Sequence, residues 1–428
     1  MMQATGTSDV ADRPLRILHI SERAWPVGGC ERMLRDTCSL LRQQGHAVHV
    51  AVADDGWTGE DAGAAFGVPV STLPRSRGVR SLRDVRPAID ALLEKVQPDV
   101  IHLHNLQDFV SPWLLPRLQA RAPTVRYVHD ARLFCPAQRS KWLARGDRPC
   151  NHPAGARCLV HCFPFDSGDG HWRSPGDLLL RRAHLAAARG LDGLLVGSAY
   201  MLDQLVLNGC DRSRIHLLHG FTDRRPAPHA AEPASVAECV PHLLAIGRFD
   251  GIKGLEGLPD LLAGLRAPRW KATVVGTGPA LDATRLRAAG LGLAGRVAFP
   301  GAIDADALDR LYASADVVLV PTHVAEAFGL VGVEAMAHGK PVVAYALGGV
   351  VEWLRDGQTG LLAPAGDATA FRAAIDRLLE SPSLAASLGE QGRRDVDLLF
   401  RPEHHVMRLL EVYRPLVATR AGAPRAQA

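Results

Sequence analysis

Two glutamates, Glu326 and Glu334, stand eight positions apart in VAEAFGLVGVEAMAHGKPVVA. The run ADVVLVPT ahead of them is apolar and valine-rich, the mark of a strand covered on both faces of a parallel sheet. GLVGVEAMAHG reads as a helix closed by Gly339, and PVVAYALGG reads as the next strand. Glu326 is therefore expected on a loop at the carboxyl end of a strand, where open α/β sheets place their ligand crevice. Phe328, Gly329 and Leu330 would lead into the helix, whose free backbone N–H groups and positive dipole end make an anion site. Glu334 would lie about 7.5 Å further along the axis. That reach suits a ribose bound beside a phosphate. Either glutamate alone reads as a solvated acid on a loop or helix. The whole string fits a nucleotide sugar: one carboxylate at the reacting end, amides on the phosphates, one carboxylate on the ribose.

Breaking a sugar–diphosphate bond builds negative charge on the leaving oxygen, so cations fixed there bind the transition state more tightly than the ground state. Arg248 and Lys253, in HLLAIGRFDGIKG, are the candidates. One follows the strand and the other precedes a helix, so both can reach a cleft. Arginine offers a planar fork and lysine a mobile point charge. Gly28 and Gly29 follow Pro26 on the loop after the first strand, where missing side chains admit close backbone approach to a ligand or simply allow a tight turn. His129 ends the strand TVRYVHD with Asp130 beside it; it is either a sugar-contacting group or a structural histidine. Gly276 opens a Gly-Thr-Gly turn after ATVV, but Leu281 occupies the third glycine position of a dinucleotide fingerprint. The turn is expected beside the nucleotide base.

Four of the eight cysteines, Cys135, Cys150, Cys158 and Cys162, crowd into a Pro- and Gly-rich segment after His129-Asp130. In a reduced protein such clustering favours metal over disulfides. The C-x14-C-x7-C-x3-C spacing lacks paired knuckles, and His152 or His161 could replace a thiolate. A structural zinc clip is expected, with unligated thiols or an iron–sulfur site left open.

These residues need a scaffold. At 428 residues the chain exceeds one hydrophobic core, and strand-like runs alternate with amphipathic helical ones through both halves. Two doubly wound α/β domains facing a cleft are expected. The boundaries are a loose arm over 1–14 and a first, acceptor domain over 15–221 with a Cys-rich insertion at 131–175. A linker follows at 222–241, then a nucleotide-sugar domain over 242–395, a returning helix over 396–418 and a tail at 419–428. The opening residues lack the apolar core of a secretory signal and no apolar run would span a bilayer, so a cytoplasmic protein is expected. The formal charge of +4 is too small to argue for nucleic acid. Arginines in LPRSRGVRSLRDVR and LLLRRAHLAAARG are solvated faces or peripheral contacts to anionic lipid at the inner membrane face.

The string from Glu326 to Glu334 resembles the E-x7-E signature of glycosyltransferase family 4, retaining enzymes of the GT-B fold. RILHISERAWPVGG, the His129-Asp130 segment, GRFDGIKG, VVGTGP and GVVEWLRDGQTGLLAP follow in the family's order. The resemblance implies retaining transfer of a hexose from a UDP- or GDP-sugar to a glycan or lipid-linked hydroxyl in envelope or exopolysaccharide synthesis. It implies His129 near the transferred sugar, and Gly28 and Gly29 at donor phosphates or acceptor. It also implies no catalytic metal, with Arg248 and Lys253 at the diphosphate. A nucleotide-sugar epimerase on the same fold and a non-catalytic, metal-clipped binding protein are the alternatives.

Overall fold

The structure is a computed structural model that describes residues 13–22, 29–54, 63–64, 66–75, 82–106, 109–137, 141, 150–163, 165–166, 172–173, 175–225 and 240–422. Strands β1 Arg16–Ser21, β2 Ala47–Ala53, β3 Val70–Leu73, β4 Val100–Leu103 and β5 Thr124–Val128 come first. A two-stranded antiparallel hairpin, β6 Phe165–Asp166 and β7 Trp172–Arg173, separates them from β8 Gly193–Val196 and β9 Ile215–Leu217. Apart from the hairpin these strands form one parallel sheet in the order β3-β2-β1-β4-β5-β8-β9. Strands β10 His242–Ile246, β11 Lys271–Val275, β12 Val297–Gly301, β13 Val317–Val320, β14 Val342–Tyr345 and β15 Gly360–Ala363 form a second sheet, β12-β11-β10-β13-β14-β15. The order in which the chain adds its parallel strands reverses between β1 and β4 and again between β10 and β13. At those two switch points a doubly wound sheet opens its crevice.

The apolar runs explain the sheets. VVLV of β13 and VVAY of β14 are buried at every position, as strands covered by helices on both faces must be. Each sheet accordingly has two cores, one per face: Leu18, Ile20, Ile101 and Leu103 on one side of the first sheet, Ile17, Val50, Val100 and Val125 on the other. The strand β3 and the short hairpin are additions to the strands read from the sequence.

The terminal helix, Pro402–Gly422, belongs to the first sheet's second core. Val406, Leu409, Leu410, Tyr413 and Val417 recur at helical spacing and pack with Ile17, Cys38 and Val100. Each such burial stabilises by about 1.5–3 kcal/mol, so the end of the chain is fastened to its beginning. Residues 226–239 of the expected linker lie outside the described residues; Thr222 before them donates its N–H to Phe400 O at 3.1 Å. No helix among the described residues is long and apolar enough to cross a membrane.

Candidate functional site

Glu326 follows β13 as read, and its backbone is pinned to Gly348 by an isolated bridge, with Gly349 N–H donating to Glu326 O at 2.7 Å. Lys253 Nζ lies 2.9 Å from Glu326 Oε1, and the Thr322 hydroxyl donates to the same oxygen at 2.6 Å. Burial pushes this carboxyl up, but the Lys253 charge, the two hydrogen bonds and the Arg248 charge outweigh it and hold it below its ordinary range. Glu326 is thus an anion kept in a nearly closed site by a neighbouring ammonium. Gly254, just past Lys253, takes the left-handed conformation at φ 69°, and a Cβ there would sit 1.9 Å from Pro321 O. Only glycine lets the Lys253 loop lie so close to the end of β13. Arg248 is placed differently: its guanidinium is mostly exposed and meets Asp250 at 2.9 Å.

The helix Leu330–Ala337 starts at Gly329, which adopts φ 96° and has no capping side chain. No side chain caps its first backbone N–H groups, an arrangement that suits an anion. Trp353 fixes this helix. Its Nε1–H donates to Phe328 O at 2.7 Å, and its ring lies so close to Gly332 that a Cβ there would be 1.9 Å away. The ring is buried and cannot retreat. Gly332→Ala is expected to destabilise the fold by about 1–3 kcal/mol through overpacking, read as a lowered melting temperature; an unchanged melting temperature would show that the ring does not set the helix position.

Glu334 is buried and heavily engaged. Arg32, in the first helix Gly29–Gln43, reaches its Oε1 at 2.6 Å across the domain boundary. Arg224 approaches the same oxygen at 3.6 Å and also pairs with Asp309, and Tyr312 donates to Oε2 at 3.0 Å. Phe328 and Leu330 use their side chains for domain contact. A Cβ on Gly29 would meet Leu330 at 2.9 Å, one on Gly197 would meet Phe328 at 3.2 Å, and one on Gly220 would meet both below 3.0 Å. Three small positions on the first domain therefore receive two large side chains from the second. Gly28 lies outside the described residues. Gly276, at φ 141°, would place a Cβ 1.7 Å from Gly247 O, so the turn after β11 lies against the turn carrying Arg248.

On the first-domain side His129 is buried at the end of β5 and joins a row of imidazoles. His19 Nδ1 is 3.0 Å from His104 Nε2, and His104 Nδ1 is 3.0 Å from His129 Nε2. His102, beside His19 in the β1–β4 register, meets Tyr413 Oη of the terminal helix at 2.5 Å. Burial drives His19 and His129 down to about 3, and His102 and His104 well below their ordinary value, so all four are neutral. His19 Nε2 is buried without a partner among the described residues. An orphan lone pair costs less than an orphan N–H, so His19 carries its proton on Nδ1 and donates to His104. His104 then donates from Nδ1 to His129 Nε2, and His129 keeps its own proton on Nδ1. The ring nitrogens of His19, His102 and His104 also come within 4.8 Å of one another. Among the described residues no acidic side chain acts on these three rings, and a dication held by neutral rings alone would stay uncompensated.

Asp130, next to His129, acts on that ring through its charge. It caps the short helical turn Ala131–Leu133 and binds Arg132 Nε at 2.8 Å. The four clustered cysteines line a single small cavity further along the same segment. Arg32, Arg224, Tyr312, Thr322 and the three supporting histidines are the site residues that sequence reasoning did not name. Only His102 and His104, alternating in DVIHLHN, left a local trace.

Residues 27–225 match the model of Glycosyltransferase Family 4, and residues 234–395 match that of Glycosyl transferases group 1. The chain is similar to a D-inositol 3-phosphate glycosyltransferase of Rhodococcus opacus, 31% identical over 293 residues, covering 64% of each. The chain thus spans less than two thirds of that relative's length. Among solved structures it resembles sucrose-phosphate synthase from Thermosynechococcus elongatus, with TM-score 0.72 and 25% identity over 94% of this chain and 99% of that one. It also shares the fold of Anabaena HepE, solved in complex with UDP and glucose, with TM-score 0.69 and 20% identity over 93% of this chain and 98% of that one. With one family model on each domain, and a GT-B architecture across nearly the whole length, the chain belongs to the family 4, group 1 glycosyltransferases.

Proposed function

We propose that this protein transfers a hexose from a UDP- or GDP-linked sugar to a hydroxyl of a glycan or lipid-linked acceptor, with retention of configuration. The observation that carries the reading is the Lys253–Glu326 pair at 2.9 Å beside a helix terminus that no side chain caps. An ammonium and open amides suit a diphosphate, and a carboxylate next to them suits the sugar that departs from it. The HepE complex with UDP and glucose supports a donor of this class.

In this reading Lys253 and Arg248 stabilise charge growing on the leaving phosphate, and that phosphate takes the proton of the attacking hydroxyl on the same face. No catalytic metal is assigned. Glu326 faces the transferred sugar, and Glu334 accepts the ribose hydroxyls. Arg32 and the ribose would then share one carboxylate, which links donor capture to the contact between the domains.

Calorimetric titration with UDP- and GDP-sugars tests this directly. One donor class should bind, and Glu334→Ala should weaken it by about 1–3 kcal/mol as a buried hydroxyl pair loses its acceptor. Glu326→Ala should spare affinity and depress turnover. Binding of neither nucleotide sugar, or conversion of the sugar without any acceptor, would overturn the assignment.

A further inference from the structure

We infer that Cys135, Cys150, Cys158 and Cys162 form a structural zinc site that closes the segment leading away from His129-Asp130. All four thiols line one cavity of ≈ 20 Å³, together with Phe134, Lys141 and His152. That is room for a single ion or water. Cys135 and Cys162 are buried; Cys150 and Cys158 are half-buried. Soft thiolates in a tetrahedral set select zinc among the available divalent ions.

Charge and ligand type agree with this assignment. Lys141 is only 4% exposed, and its ammonium donates to the carbonyl of His152. A buried ammonium needs a compensating anion, and among the described residues no carboxylate is paired with it. A divalent ion held by four thiolates carries a net charge of two minus, which supplies that anion in place. The His152 ring is occupied by Arg157, whose Nη1 lies 3.2 Å from His152 Nδ1. A guanidinium only donates, so the imidazole lone pair on that side is taken and the donor set is four sulphurs.

Local backbone bonds hold the described residues that carry these thiols. Cys135 N–H donates to Ala131 O at 2.7 Å, Cys150 N–H to Lys141 O at 2.6 Å, and Cys162 N–H to Cys158 O at 2.9 Å. Ala154 N–H is tied to Asn208 Oδ1 at 2.9 Å, which anchors the segment to the body of the first domain. Among the described residues the ligating atoms that gather within 4.8 Å of one another are those of the histidine trio and not these sulphurs; the zinc site therefore requires the thiols to close on the ion as it binds. Binding converts four thiols to thiolates, releases four protons to solvent and moves no electrons. The clip would fix the start of the segment, and with it Asp130 and the end of β5, independently of any donor or acceptor.

The test uses the full chain purified under reducing conditions without chelator. Elemental analysis should give one zinc per chain. Titration with an organomercurial should release it in step with four thiols, detected by a metallochromic indicator. Cys158→Ser should lose the zinc, whereas Cys38→Ser, whose thiol lies in the other core, should keep it. If Cys158→Ser fails to fold, the mercurial titration of the unaltered protein remains decisive. Protein that is metal-free and takes up no zinc on dialysis overturns the inference. So does iron with acid-labile sulfide, or two disulfides among these four residues.

Discussion

Lys253→Ala is expected to lower kcat by about 10²–10³-fold, the usual loss when one preorganised charge is removed from a transition state, with a smaller change in donor Kd. Two effects act together. In the proposed reaction the ammonium no longer meets the departing diphosphate, and Glu326 is left as a buried anion whose Lys253 partner at 2.9 Å is gone. Breaking a buried pair from one side costs about 3–5 kcal/mol of stability, so the melting temperature should fall as well. The pH profile separates this from general damage. Glu326 is held below its ordinary value of 4.5, so in the unaltered protein the stabilisation from its ionised form is present above that value. It is lost only as pH falls through the still lower folded value. Without Lys253 the burial that opposes ionisation dominates, the carboxyl moves up, and the acidic limb of kcat moves toward neutral pH. The double variant Lys253→Ala/Glu326→Gln should recover melting temperature without recovering turnover. A normal rate in Lys253→Ala, or an acidic limb that stays in place, would refute the role given to this pair.

The sheets were legible because each buried strand is a short apolar run closed by a glycine or a turn, as VVLV before Pro321 and VVAY before the Gly348 turn show. Strand β3 was not, because its Val70, Ser71 and Thr72 are only partly covered or exposed at the sheet edge. The hairpin strands, two residues each, are too short for any period. The placement of Lys253 and Glu326 was readable because one precedes a helical turn and the other follows a strand end, each with glycines nearby. The Arg32–Glu334 pair was not: its partners belong to different domains, and nothing local marks Arg32 among the chain's many arginines. Nor does sequence show that Phe328 and Leu330 fill the space over Gly29, Gly197 and Gly220. That requires the two sheets to face one another. The histidine row lies between these cases. Alternation puts His102 and His104 on one face of β4, but only the β1–β4 register brings His19 beside them.

That row gives the largest expected dependence of stability on solution conditions. His19, His102, His104 and His129 are all held neutral by burial, with His19 and His129 at about 3. In the unfolded chain each returns to its ordinary value of 6.5. Below that value the unfolded state binds more protons than the folded state, so stability must fall as pH falls. Above 6.5 both states are neutral and the fold carries no penalty. The penalty grows from 6.5 downward until the folded values are reached. Between pH 7.5 and 5.5 each group should cost about 1.4 kcal/mol, and the four together on the order of 5 kcal/mol. His184 and His405, depressed by burial to about 3 and about 4, add in the same direction. Carboxylates contribute little in this window because they are ionised in both states. Urea unfolding at pH 7.5 and 5.5 should therefore show a midpoint that drops steeply in the more acidic buffer. His102→Phe replaces an imidazole whose Nε2 has no partner among the described residues. It should remove one group's share of that dependence, leaving a shallower slope. A midpoint independent of pH across this interval would mean that water reaches the row, and the tautomer assigned to His129 would fall with it.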